Sequence, residues 1–270
     1  LLPLSFSIPL KSSSLTRSFV AFQSSHVPLV TVPMPPLLHQ SYFLIIIFLL
    51  ERVTCLHQIY KELDNKPMPK EKPLQVHFGF YIESLGNFRS TEMTFDVDMY
   101  LYMSWKDETL AHNSTQHILV SDKNILDKMW LPGLYFANAR TAYFHDVTVH
   151  NFNLFIANDG TISYGTRVTL NVACNLFLQD YPLDKQVCGI KVISYAHVKE
   201  EMNVSWFDDG PIRYNPQINL PEFHIVSLTH KYCDGIFHYT ITKNSSRIGD
   251  FSCLVGLLSL ERAIGFHLVQ

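Results

Sequence analysis

Hydrophobic and polar residues alternate strictly along residues 94 to 105, TFDVDMYLYMSW. Successive side chains of a β-strand point to opposite faces, so this stretch has one apolar face and one polar face. The apolar face comprises Phe95, Val97, Met99, Leu101, Met103 and Trp105. The other face comprises Thr94, Asp96, Asp98, Tyr100, Tyr102 and Ser104. The pattern predicts a half-buried strand whose outer face carries two neighbouring tyrosines.

A second alternating stretch, residues 161 to 174, follows a turn formed by Asn158, Asp159 and Gly160. These residue types tolerate the positive φ angles of a tight hairpin. The predicted core-facing set comprises Ile162, Tyr164, Val168, Leu170, Val172 and Cys174. Strand-like pieces recur elsewhere between Gly, Pro and Asn, whereas helical periodicity is strong only at residues 56 to 63. We therefore predict an all-β fold, an immunoglobulin-like β-sandwich with a short N-terminal helix.

The chain that precedes this β domain has a different character. Residues 1 to 40 are rich in Leu, Ser and Pro without a helical or strand period, which predicts an unstructured or mispredicted extension. Residues 42 to 50 form an apolar run that is too short to cross a bilayer. Its length is typical of a signal-peptide core, so we predict a signal peptide at 41 to 55 and a folded domain at 56 to 270. A short buried strand is the alternative for this run.

Composition and motifs narrow the functional class. The chain is 47% hydrophobic and 17% charged, with a net charge of -3 and no basic run, so it favours a folded protein without a nucleic-acid partner. It contains neither HExxH, GxSxG nor a phosphate-binding GxGxxG. His145 and His150 are five residues apart, which predicts opposite faces of a strand. We therefore predict neither an enzyme nor a bound cofactor.

The cysteines and sequons indicate an oxidising compartment. No cysteines form a CxxC pair, and three N-x-S/T sequons predict glycosylation at Asn113, Asn203 and Asn244. Secreted proteins retain disulfides. Four cysteines of the β domain allow three connectivities, of which nearest-neighbour pairing is the simplest. These four are Cys174, Cys188, Cys233 and Cys253.

Cys174 and Cys188 enclose thirteen residues, with Tyr181 and Pro182 near the middle. In the chain-entropy model, a disulfide that closes this loop would stabilise the fold by about 3 kcal/mol. Pro182 follows an aromatic residue and is a candidate for a cis peptide bond. Such a stiff loop suits contact with something beyond the domain, although a disulfide that only stabilises the core is the alternative.

This loop resembles the signature of the Cys-loop, or pentameric, ligand-gated ion channels. Two cysteines thirteen residues apart surround an aromatic-Pro-x-Asp core, matched by Tyr181, Pro182 and Asp184. Residues 129 to 138, MWLPGLYFAN, resemble the family's W-x-P segment, and SWKDETLAHN and LERAIGFHLVQ are also similar to family segments. The resemblance covers about residues 73 to 270.

Membership of that family would imply an extracellular β-sandwich, four further subunits in a pentamer, and agonists bound between neighbours. The gating loop, with Tyr181, Pro182 and Asp184, would transmit channel opening to membrane helices that this chain does not reach. The resemblance also implies a Cys233–Cys253 pair, as in glycine-, glutamate- and histamine-gated chloride channels. It thus implies a chloride channel of the plasma membrane; a soluble secreted ligand-binding protein with the same fold is the alternative.

The resemblance also places an agonist pocket. One subunit would contribute Tyr135 or Phe136, Ser194, Tyr195 and Phe251, and its neighbour would contribute Tyr100 and Tyr102. By this resemblance, Tyr102 occupies the position where glycine and glutamate receptors carry an arginine that holds the agonist carboxylate. Glu83 occupies the position where the glutamate-gated type carries a second arginine. A carboxylate ligand would be repelled by Glu83 and would lack its bidentate partner. We therefore predict that glycine and glutamate are poor agonists and that the ligand is an amine or another cation.

His197 lies two residues after Tyr195 and would share its face if the strand remains extended. Imidazole titrates near physiological pH and binds zinc. A weak likeness to the pH- or zinc-responsive chloride channels of insects supports the hypothesis that Glu83, Tyr195 and His197 form a site for zinc, protons or a biogenic amine. In that hypothesis Glu83 and His197 are the metal ligands, and a purely structural His197 is the alternative.

Overall fold

The computed structural model describes residues 67–243 and 245–265. The predicted extension, signal peptide, N-terminal helix and Asn244 sequon lie outside the described residues. Within them the chain forms fourteen β-strands and short helical segments, which confirms the predicted β-sandwich class.

The strands are numbered in chain order. The first seven are β1 Leu74–Arg89, β2 Thr94–Lys106, β3 Ile118–Val120, β4 Leu134–Phe136, β5 Ala139–Phe144, β6 Phe152–Ile156 and β7 Thr161–Ala173. The other seven are β8 Lys185–Ser194, β9 Met202–Trp206, β10 Ile212–Tyr214, β11 Phe223–Tyr232, β12 Ile236–Thr242, β13 Ser245–Asp250 and β14 Cys253–Arg262. A 3-10 turn, Glu108–Leu110, and the short helix α1, Lys123–Leu126, begin after the capping carboxylates of Asp107 and Asp122.

The strands form two sheets and a hairpin. The eight-stranded sheet has the order β10-β1-β2-β7-β6-β3, with β9 beside β1 and β5 beside β7. The four-stranded sheet has the order β11-β14-β8-β4, and β12 and β13 form the separate hairpin. One apolar core contains side chains of both sheets, including Phe80 and Trp105 of the first and Leu258 of the second. The outward-facing side chains of each sheet are therefore candidates for recognition.

The predicted strand at 94 to 105 is β2. Its apolar set is buried, with at most 7% of any side chain exposed, as the alternation predicts. Thr94 is an exception: we placed it on the outer face, but it is 1% exposed. It is paired with Arg89 of β1 and Ala173 of β7 at the first residue of β2.

The predicted hairpin joins β6 to β7. Gly160 adopts a φ of 84°, the left-handed region that favours glycine. A Cβ at this position would lie 2.3 Å from the Asp107 carbonyl oxygen, so the turn also requires close backbone approach. The predicted core-facing set of β7 is buried throughout.

Both disulfides join nearest neighbours in the sequence. Cys174 bonds Cys188 and Cys233 bonds Cys253, which confirms the simplest connectivity. The Tyr181–Pro182 peptide bond is cis, as predicted. In the part of the chain that the structure describes, no helix has the length and apolar character needed to cross a membrane.

Candidate functional site

Tyr135 and Tyr195 form an exposed aromatic pair at one edge of the four-stranded sheet. Tyr135 lies in β4, opposite Ile193 of β8, and the Tyr195 N–H donates to the Gly133 carbonyl at 2.9 Å. The two rings meet edge to face, with centroids 5.5 Å apart and an interplanar angle of 90°. Tyr195 is 74% exposed and Tyr135 is 37% exposed. This pair, which we call the β4/β8 face, can present aromatic surface to a ligand.

Ser194 and His197 serve the chain turn behind this pair. β8 ends at Ser194, so the strand does not remain extended to His197, and the condition under which His197 would share a face with Tyr195 is not met. The buried Ser194 hydroxyl donates to the His197 carbonyl at 2.6 Å and thereby fixes the turn. The His197 ring instead lies 6.3 Å from the Trp130 ring, and its Nδ1 is 3.2 Å from Glu201 Oε2.

Phe251 lies beneath the β12–β13 hairpin. It is 9% exposed and belongs to a small cluster with Ile193 and Cys253. The rings of Phe237 and Tyr239 on the hairpin lie 6.1 Å and 6.4 Å from its ring. Phe251 therefore supports the hairpin, while the exposed Phe237 and Tyr239 are nearer to solvent.

A second aromatic group lies on the outer face of the eight-stranded sheet. Tyr81 of β1 is opposite Tyr100 of β2, with ring centroids 6.4 Å apart, and Tyr102 follows on the same face. Glu83 lies at a register shift of β1 and accepts a hydrogen bond from the Asn215 amide at 3.2 Å. Partial burial, then the neighbouring Tyr100, Tyr81 and Glu83, raise the pKa of the Tyr102 phenol. We call these three tyrosines and Glu83 the tyrosine cluster.

An arginine that sequence reasoning missed contacts this cluster. Arg167 lies opposite Tyr100 on the neighbouring strand β7, with its guanidinium carbon 5.5 Å from the tyrosine ring centroid. Its Nε donates to Asp98 Oδ1 at 3.1 Å, and a terminal nitrogen donates to the second Asp98 oxygen. This hydrogen bonding with Asp98 raises the pKa of Arg167. Asp98 thus neutralises a cation beside the tyrosine cluster.

The other missed residues are Tyr81, Phe237 and Tyr239. Tyr81 becomes a neighbour of Tyr100 only through the β1–β2 register, which the sequence does not state. Arg167 had a local signal, because it alternates with core residues along β7. Phe237 and Tyr239 also had one, since they are two residues apart in a strand.

We placed His145 and His150 on opposite faces of one strand, and that placement is wrong. β5 ends at Phe144, before either histidine, so both lie in the connection that follows. His145 Nε2 lies 2.7 Å from Thr169 Oγ1, whereas His150 Nδ1 lies 2.5 Å from Asp146 Oδ1. The two rings therefore have separate partners.

The two metal-ligand candidates belong to different sheets. Glu83 lies in the eight-stranded sheet, whereas His197 follows the last strand residue of β8 in the four-stranded sheet. The described part of one chain contains no group of three or more His, Cys, Asp or Glu residues placed to hold a metal ion. A metal site that uses both residues would need further ligands or a second chain.

A cavity of about 450 Å³ opens beneath β4 and β5. Its lining is mainly apolar and aromatic, and it shares Tyr135 with the β4/β8 face. Arg140 also lines it, and the described lining contains no carboxylate. An apolar site with a cation at its wall does not suit an ammonium ligand, so for a ligand of that class the exposed tyrosines are the better candidate site.

The Cys174–Cys188 loop is attached to the end of β14 by a buried ion pair. Arg262 Nε and a terminal nitrogen donate to the two Asp184 oxygens at 2.6 Å and 3.0 Å, and both side chains are 2% exposed. Burial acts to raise the pKa of Asp184, but hydrogen bonds from Arg262 and Gln186 outweigh it and hold the pKa below its ordinary value. The Arg262 guanidinium also lies 5.0 Å from the Tyr181 ring centroid.

The predicted glycosylation sites differ in their surroundings. Asn113 is exposed in the segment after the 3-10 turn. Asn203 lies in β9, where its amide donates to Gln75 Oε1 at 3.0 Å. Asn113 therefore has the more open position for a glycan.

Comparison with known proteins places these features in a known group. Residues 52–262 match the family model described as the neurotransmitter-gated ion-channel ligand binding domain. Over 200 residues the chain is 38% identical to a Caenorhabditis elegans protein named glycine receptor subunit beta-type 4. The aligned region covers 72% of this chain and 39% of that protein. Over 198 residues it is 32% identical to the Mus musculus gamma-aminobutyric acid receptor subunit theta. This aligned region covers 73% of this chain and 30% of that protein. The chain thus spans less than half the length of these curated relatives.

Proposed function

Since the chain belongs to the neurotransmitter-gated ion-channel ligand-binding domain family, we propose that it is the extracellular ligand-binding domain of a pentameric channel subunit. The sandwich and the Cys174–Cys188 loop support this assignment. Its relatives are named glycine and gamma-aminobutyric acid receptor subunits, and the second disulfide resembles that of chloride-channel subunits. These features together favour a chloride-selective channel in the plasma membrane.

The proposed ligand is a small cation, with an amine as the leading class, bound where two subunits meet. The observation that carries this proposal is the carboxylate of Glu83 within a group of three tyrosines. Aromatic faces attract ammonium groups by about 0.5 to 2 kcal/mol each. The β4/β8 face of one subunit, with Tyr135 and Tyr195, would close the site over the tyrosine cluster of the next.

Zinc ions and protons are the further ligands proposed for the same interface. Glu83 of one subunit would then face Tyr195 and His197 of its neighbour. His197 Nδ1 already has a carboxylate neighbour in Glu201, so a metal would have to bind its other ring nitrogen. Unchanged zinc and acid responses after Glu83→Gln and His197→Ala substitution would exclude this role.

The Cys174–Cys188 loop is proposed to transmit ligand binding to the membrane domain. Exposed apolar side chains at Phe177, Leu178 and Leu183 give it a surface suited to contact with another domain. The buried Asp184–Arg262 pair joins it to β14. Movement of β14 would therefore displace the loop as a unit.

The test is current recording from the full-length subunit in cells without related channels. Phenethylamine, zinc and acid steps provide the cationic stimuli, and glycine and glutamate provide the carboxylate-bearing comparison. We expect current with a cationic stimulus and a reversal potential that follows the chloride gradient. Activation by glycine or glutamate but by no cationic stimulus would contradict the proposed ligand class, and a reversal potential independent of chloride would contradict the proposed selectivity.

A further inference from the structure

Two aspartates followed by two tyrosines lie along the outer face of β2. Tyr100 and Tyr102 belong to the tyrosine cluster, whereas Asp96 and Asp98 precede them on the same face. Each aspartate holds a different arginine: Asp96 binds Arg89, and Asp98 binds Arg167. The two pairs are two residues apart, but only Arg167 lies against a ring of the tyrosine cluster.

The Asp98–Arg167 pair uses both oxygens of the carboxylate. Arg167 donates from Nε and from a terminal nitrogen, which is the two-point geometry that guanidinium groups form best. Asp98 is 15% exposed, so solvent screens the pair only in part. The Thr169 hydroxyl and His145 Nε2 each lie 3.5 Å from Asp98 Oδ1 and border the carboxylate on a further side.

This pairing determines the charge that a ligand meets. A guanidinium 5.5 Å from the Tyr100 ring centroid would repel an ammonium ligand and offer a carboxylate ligand a bidentate partner if it were unpaired. With Asp98 bound, that positive charge is balanced, and Glu83 remains as the carboxylate of the tyrosine cluster. The sign of the local charge thus depends on one side chain that need not touch the ligand.

We propose that Asp98 is the residue that selects the charge class of the ligand, by holding Arg167 in an ion pair so that the tyrosine cluster accepts cations and rejects carboxylates. The inference rests on the proposed function, because it requires the tyrosine cluster to be part of a ligand site. Asp98 is a positioning residue in this account, since it acts through Arg167. Removal of its charge should convert the site toward recognition of carboxylates.

The test compares two probes of nearly equal shape and opposite charge, phenethylamine and 3-phenylpropionate, on the full-length subunit. Asp98→Asn should lower sensitivity to phenethylamine at least tenfold and produce a response to 3-phenylpropionate. Asp96→Asn is the matched control, because Asp96 lies on the same strand face but binds Arg89 and Asn171. It should leave the ratio of the two responses unchanged.

Two further variants separate selection from a structural effect. The double variant Asp98→Asn with Arg167→Gln should lose the new carboxylate response, because the guanidinium that creates it is gone. Arg167→Gln alone should keep the phenethylamine response, whereas loss of that response would indicate that the ion pair is purely structural. This single variant also keeps the idea testable if Asp98→Asn fails to reach the cell surface.

The outcomes distinguish this inference from the proposed function. The ratio of the phenethylamine response to the 3-phenylpropionate response could be the same in Asp98→Asn and Asp96→Asn while the unmodified channel responds normally to phenethylamine. That result would overturn the selector role and leave the proposed function intact. An unmodified channel that responds to 3-phenylpropionate and not to phenethylamine would overturn both. A carboxylate response gained only by Asp98→Asn would support the inference.

Discussion

Tyr195 becomes exposed because strand β8 ends one residue earlier. Ser194 is buried, its N–H donates to the Ser252 carbonyl, and its hydroxyl donates to the His197 carbonyl. The following side chain therefore leaves the sheet and meets the edge of the Tyr135 ring. The family pattern named Tyr195, but alternation could not show whether the strand continues to His197, since a strand pattern carries no information about the hydrogen bonds that end the strand.

Replacement of Tyr195 tests the aromatic contribution of the β4/β8 face. Tyr195→Ala should raise the half-maximal concentration of an ammonium agonist about 2- to 30-fold, because one cation–π contact is lost. Tyr195→Phe should change it less, since the ring face remains. Concentration–response curves of the full-length channel measure both values. A loss of equal size in the two variants would assign the effect to the hydroxyl group and contradict the role of the ring.

At the scale of elements, alternation predicted β2 and β7 well because each is buried on one face only. β2 and β7 lie within a few residues of their predicted bounds, and their apolar sets form the core. The two histidines after β5 were wrongly placed in a strand. His145 contacts Thr169 of β7, and His150 contacts Asp146 of the same loop, and local alternation contains neither contact. The Asp184–Arg262 pair joins residues 78 positions apart, a contact that no local pattern contains.

The Asp184–Arg262 pair should contribute strongly to the stability of the Cys174–Cys188 loop. Asp184→Asn should lower the free energy of unfolding by about 3 to 5 kcal/mol, because it leaves a buried guanidinium without its charge partner. Glu261→Gln is the matched control: Glu261 and Lys185 each lie next to a member of the buried pair and are 3.5 Å apart, but both side chains are exposed. Its effect should stay within about 1 kcal/mol. Similar losses in denaturant unfolding of the two variants would contradict this role.

The same carboxyl group predicts a pH dependence. The pKa of Asp184 lies below its ordinary value of 3.8, so the folded state favours the ionised form. The associated stability is fully present above that ordinary value and is lost as pH falls through the lower pKa of the folded state. The stability advantage of the unmodified protein over Asp184→Asn should therefore shrink as pH falls below about 4. Acid unfolding followed by circular dichroism measures it, and an advantage that grows with acid would contradict the assignment.

At the scale of the whole molecule, the two aromatic groups lie on different sheets of the sandwich. The β4/β8 face belongs to the four-stranded sheet, and the tyrosine cluster belongs to the eight-stranded sheet. The family resemblance named members of both groups and the type of ligand site. It could not identify Arg167 or predict its ion pair with Asp98, because that ion pair depends on the register between β2 and β7.

The most direct test of the central claim is a cross-link between the two aromatic groups of neighbouring subunits. Tyr195→Cys and Tyr102→Cys are introduced together in the full-length subunit, and each alone serves as control. If the ligand site lies between subunits, oxidation of the double variant should give a ladder of up to five linked subunits on a non-reducing gel. An ammonium ligand should slow its formation. A double variant that stays monomeric on the gel, like each single variant, would contradict an interface formed by these two faces.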